Sequence, residues 1–159
     1  MTFSSLGEII RKNEYFLTKD VVKEIRQAPG IRHYRNTTDN SLHDRVNRVL
    51  YHIYKRLPLW LRQGASKNTI FSLYSEIGRQ RHQEGIPLEE MIQVLFLIRR
   101  GVFRCLSEQC TRGGGGPLDR TREFFTGVNL FFDHMARAVI SGYLECASAR
   151  KKALEKQRA

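Results

Sequence analysis

The chain has 159 residues and a formal net charge of +11; that is one domain's length, enough for a packed core without disulfide or metal staples. Hydrophobic residues make up 41% and charged residues 27%, which excludes a disordered chain. The longest apolar-rich run, residues 91–98, is far shorter than the roughly 20 residues a bilayer-crossing helix needs. The N-terminal MTFSSLGEII lacks the basic-then-apolar layout of a secretory leader, so the expected location is the cytoplasm.

The first helix is predicted over Ser4 to Gln27, where Leu6, Ile9, Ile10, Phe16, Leu17, Val21, Val22 and Ile25 recur at three-to-four spacing. APG at 28–30 ends it, and residues 30–40 read as polar connection. The second helix is predicted from Ser41, an N-cap with Asp44 three positions on. Leu42, Val46, Val49, Leu50, Ile53 and Leu57 form its buried face. Pro58 is expected to kink or break it, with a short continuation closed by Gly64. The third helix is predicted from Ser66 to Glu84, with Ile70, Leu73, Tyr74 and Ile77 on one side.

The stretch EGIPLEE then forms a helix–helix corner. Gly85 supplies the left-handed stop, Pro87 sits in the first turn of the next helix, and Glu89 and Glu90 follow where the helix dipole favours negative charge. The fourth helix runs to about Glu108. Between Met91 and Ile98 only Gln93 is polar, a pattern expected of a helix surrounded by protein, so this is the predicted central element. RGGGGP at 112–117 reads as a flexible loop. The fifth helix is long, from Leu118 past Arg150, with Phe125, Val128, Phe132, Met135 and Val139 in a stripe widened by Phe124, Phe131 and Ile140. No alternating strand pattern occurs, so the class is all-α: a single-domain bundle over 1–148 with a basic helical tail over 149–159.

Little in this sequence points to catalysis. Cys105, Cys110 and Cys146 form no CxxC and read as reduced, partly buried thiols. His33, His43, His52, His82 and His134 lie at no HExxH or paired spacing. Neither GxSxG nor GxxxxGK[ST] is present, and the glycines at 113–116 follow no strand. Adjacent Glu89 and Glu90 project from different sides of a helix, so they are not an acid–base pair. The expectation is a protein without enzymatic activity.

The positive charge is concentrated. Residues 150–159 carry five basic side chains and one acidic; residues 32–67 carry eight and two. Such a field attracts nucleic acid, anionic lipid or an acidic protein. Basic residues interleaved with Tyr34, Tyr51, Tyr54 and Trp60 suit single-stranded nucleic acid. Tyr54 and Trp60 fall near the buried stripe, however, which makes a solvated basic face the simpler account.

Residues 74–100, YSEIGRQRHQEGIPLEEMIQVLFLIRR, resemble the N-terminal sensory domains of RsbR-type stressosome co-antagonist proteins and related bacterial histidine kinases. Gly78, Arg79, Arg81, Gly85, Pro87, Leu88, Glu89, Glu90 and Arg99 fit that pattern. The resemblance implies a helical domain, globin-like and haem-free in RsbR-type members, that regulates an output module. No such module follows the fifth helix here, so the expectation is a free-standing regulator acting through a partner, or a piece of a longer product.

Three functional expectations follow. The first is a dimeric signalling domain that pairs through the fifth helix, with Arg79, Arg81 and His82 beside Glu89 and Glu90 at the corner and at least one arginine–carboxylate pair crossing it. A small apolar ligand would lie between the fourth and fifth helices, against Phe96, Phe103, Phe125, Phe132 and Met135. The second is a haem-based gas sensor with His134 or His82 as axial ligand. The third is a basic nucleic-acid-binding protein.

Overall fold

The computed structural model describes residues 3–63, 67–112 and 118–158. Six helices account for nearly all of them: α1 (Phe3–Gln27), α2 (His33–Asn36), α3 (Asp39–Arg62), α4 (Lys67–Gln83), α5 (Leu88–Arg112) and α6 (Leu118–Arg158). No strand occurs among the described residues, so the all-α bundle expected from the periodicity is the observed class.

The apolar stripes go where their spacing sends them. Ile10, Val21 and Ile25 of α1, Leu42, Val46, Leu50, Ile53 and Leu57 of α3, and Val128, Phe131, Met135 and Val139 of α6 are buried. Burying each side chain of this kind contributes roughly 1.5–3 kcal/mol. α1 packs along both α3 and α5, and α4 packs along α6.

Four local expectations are corrected. Residues 33–36 are a helical turn rather than connection, with Ile31 and Tyr34 buried beside it. α3 begins at Asp39, two residues before Ser41: Thr38 is the N-cap, and its hydroxyl accepts from the Ser41 amide at 3.4 Å. Pro58 lies inside α3 without ending it. It cannot donate to the Tyr54 carbonyl, and Gly7 of α1 packs against that carbonyl, so the neighbouring helix braces the weak point. α5 is not enclosed on all sides. Met91, Val94, Leu95 and Ile98 face the core, but Phe96 is 55% exposed. Expectations for Gly64, Ser66 and the 113–117 loop lie outside the described residues, as do the side chains of Cys110 and Phe124.

The tightest packing joins α4 to α6. A Cβ on Gly142 would collide with the Ser75 carbonyl, and one on Gly78 with the Val139 carbonyl. The two backbones therefore touch directly, over a contact that only glycine permits. Gly142→Ala must push the helices apart and is expected to cost more than about 3 kcal/mol, beyond ordinary overpacking. Ser141→Ala, one residue away, half-buried and losing only a 3.3 Å bond to Glu145, should cost no more than about 1 kcal/mol; urea denaturation of both variants checks the contrast.

Tyr74 is 1% exposed, and its hydroxyl has no hydrogen-bond partner among the described residues. A buried hydroxyl in that state costs roughly 1–3 kcal/mol. Tyr74→Phe is expected to raise the urea midpoint, since Phe keeps the edge contact with Phe131.

Candidate functional site

α4 ends at Gly85, whose φ of +73° is the left-handed stop expected of it. The Ile86 amide donates to the Arg81 carbonyl at 3.1 Å and the Gly85 amide to the His82 carbonyl at 3.0 Å. This pair of bonds satisfies carbonyls that the helix end would otherwise orphan. Pro87 stands one position before α5 rather than within it, and its carbonyl accepts from the Met91 amide. Glu89 and Glu90 occupy the first turn as expected.

The charged residues of the corner do not bond to one another across it. Arg81, with only 13% of its side chain exposed, donates through Nη1 to both oxygens of Glu84 at 2.7 Å. Arg45 of α3 reaches the same carboxylate at 2.7 Å. Burial pushes the Glu84 pKa up, but the two guanidinium bonds outweigh it and hold the carboxyl below its ordinary range. Arg79 bonds Glu76 at 3.0 Å within α4 and Glu145 of α6 at 2.9 Å. Arg99 bonds Asp133 at 3.1 Å and also Asn129. The expected link from Arg79 or Arg81 to Glu89 or Glu90 is therefore replaced by links to α3 and α6.

Glu90 is buried and serves α2. Its Oε2 accepts from the His33 backbone amide at 2.8 Å, and its Oε1 lies 3.5 Å from His33 Nδ1. The first amides of any helix lack internal partners and favour an anion. Desolvation raises the Glu90 pKa, yet hydrogen bonds from the His33 and Arg32 amides and the His33 ring bring it below the usual range. At the other end of α2, Arg26 of α1 donates to the carbonyls of Tyr34, Arg35 and Thr37 and to Asp39. A four-residue helix cannot persist alone; this one is held at both ends by side chains from other helices.

Tyr143 of α6 closes the corner. Its hydroxyl donates to the Ile86 carbonyl at 2.9 Å, and His82 meets its ring edge-on at 4.9 Å. Tyr143, Gly142, Glu145, Glu84 and His33 carry this site, and the sequence pattern singled out none of them. Packing of α6 on α4 brings Tyr143, Gly142 and Glu145 to the corner, while α3 and α5 supply the partners of Glu84 and His33.

The residues expected to line an apolar pocket are divided. Phe132 and Met135 are core. Phe103 and Phe125 stack at 5.4 Å, while Phe96 and Phe103 border an open depression with Arg99, Arg100 and Asn129. His134 meets the Trp60 ring edge-on at 5.7 Å and borders a separate depression with Ile70, Phe71 and Arg137. A different cleft, of about 40 Å³, lies among α3, α4 and α5 beside Arg45 and Arg81.

The described residues thus form an all-α bundle whose α4–α5 turn is fastened to the long final helix α6. The chain belongs to the family of RsbT co-antagonist protein rsbRD N-terminal domains, whose model matches residues 17–158. It is accordingly a stress-signalling regulatory domain. No curated protein and no solved structure matches it. No helix among the described residues is long and apolar enough to cross a membrane.

The Glu90 bonds have a pH signature. A carboxyl whose pKa is depressed on folding stabilises the fold above its unfolded value, near 4.3, and that stabilisation is lost as pH falls through the folded value. Glu90→Gln is expected to lose about 1–3 kcal/mol at neutral pH. The gap to the parent chain should close as the pH is lowered below about 4, measured by urea denaturation at stepped pH.

Proposed function

We propose that this domain is a non-enzymatic regulator that signals by pairing through α6, either with a second copy or with a partner protein. The observation that carries the reading is the behaviour of α6. It takes up the polar arms of α4 and α5 through Glu145, Tyr143 and Asp133. It then continues as one helix to Arg158, with residues 148–157 exposed.

That continuation has the pattern of a coiled-coil seam. Ile140, Leu144, Ala147, Lys151 and Leu154 alternate at spacings of four and three, and Leu144 and Leu154 are each 49% exposed. Sustained spacing of this kind suits a partner helix. The flanks suit a parallel second copy: Arg150 and Glu155 stand five residues apart, the offset at which such pairs meet across a parallel seam. Lys151 in the seam weakens the contact but selects its register. A change at the corner then tilts α6 and alters the geometry delivered to the partner.

Sedimentation equilibrium tests this reading. The parent chain is expected to be a dimer, and Leu144→Asp with Leu154→Asp a monomer of unchanged helical content by circular dichroism. A parent chain that stays monomeric at high concentration would sink self-pairing and leave a separate acidic partner as the object of the basic tail.

A further inference from the structure

The cleft among α3, α4 and α5 is unlike the other depressions. Its walls are the core residues Val46, Val94, Leu95 and Ile98, so its depth is apolar. At its border stand Arg45 and Arg81, which share the single carboxylate of Glu84. Two guanidiniums and one carboxylate leave a positive charge, and most of the Arg81 side chain is out of water. Both arginines bond Glu84 through Nη1, and among the described residues neither Nε nor Nη2 of either has an acceptor, so both can serve another. Tyr34 also lines the cleft. It is 5% exposed, and its hydroxyl donates to none of the described residues. Two guanidiniums and one phenol thus offer donors at one end of an apolar space.

We propose that this cleft binds a short-chain monocarboxylate of two to four carbons, its carboxylate on Arg45, Arg81 and Tyr34 and its alkyl end against Val46, Val94 and Ile98. A planar guanidinium takes a carboxylate through paired hydrogen bonds. The size follows from the volume. About 40 Å³ is room for roughly three water-sized spheres, which admits a short chain and rejects a long one. The ligand ties α3 to the end of α4, next to the turn that Tyr143 grips. Its regulatory meaning rests on the proposed role of α6, but the binding does not.

Isothermal titration calorimetry of the whole chain with sodium acetate, propionate, butyrate and hexanoate, at constant ionic strength, tests the proposal. Affinity is expected to rise about fourfold per methylene to butyrate, the value of burying one CH₂, and to drop at hexanoate. Arg45→Met should weaken butyrate at least tenfold, as loss of a charge-assisted bond implies. Tyr34→Phe should weaken it less, and Val94→Phe, which fills the cleft, should abolish it. No binding to the parent chain, affinity independent of chain length, or butyrate binding untouched by Arg45→Met would each overturn the site. The same variants in sedimentation equilibrium separate the two ideas: if butyrate binds but the chain does not pair, the cleft stands and the α6 output falls.

Discussion

The backbone contact between α4 and α6 sets the terms for the rest of the molecule. Gly78 and Gly142 remove the side chains that would hold two helices at their ordinary separation of 8–10 Å. With the backbones in touch, Arg79 reaches Glu145 and the Tyr143 hydroxyl reaches the Ile86 carbonyl. The Tyr143 bond, made by a rigid ring, has the least room to follow if the helices part. Small residues at a helix interface thus do two things here: they close the core, and they bring the turn at Gly85 within hydrogen-bonding distance of α6.

The ion pairs of this protein serve geometry more than stability. Solvent screening leaves exposed pairs such as Arg99–Asp133 and Arg79–Glu145 with little effect on stability. Their common property is that they join different helices: α5 to α6 and α4 to α6. On the opposite side, Glu24 of α1 accepts from Arg100 and Arg104 of α5. The two anchors of α2, buried Glu90 and half-buried Arg26, are of another kind. Glu90 and Arg26 supply the helix-end partners that four residues cannot supply for themselves, and so keep Tyr34 at the mouth of the cleft. α2 is thus held by side chains from α1 and α5 rather than by its own length.

Much of the helical plan was legible in the residues. Three-to-four spacing located the long helices, and Gly85 followed by Pro87 marked the corner because each residue has one strong conformational preference. Short and contextual features were not legible. α2 depends on Glu90, 57 positions away, so no local signal announces it. Pro58 looked like a break because the sequence does not show which helix covers the Tyr54 carbonyl. The apolar run at 91–98 looked enclosed because hydrophobicity cannot tell a core-facing Leu95 from an exposed Phe96. At the site, Gly78, Arg79 and Arg81 were found by resemblance, while Gly142 and Tyr143 lay in a stretch with no recognisable motif.

The sequence by itself determined the class of the fold, the number and order of the long helices, the position of the corner and the place of the surplus charge, since these follow from periodicity, turn chemistry and composition. Only the tertiary structure decided which arginine meets which carboxylate. Glu84 and Glu90 are both within reach of the corner in sequence, yet one receives Arg45 and Arg81 and the other a backbone amide of α2. A charged side chain takes the best partner within a few ångströms, and that distance is fixed by how helices pack, not by how far apart residues lie along the chain.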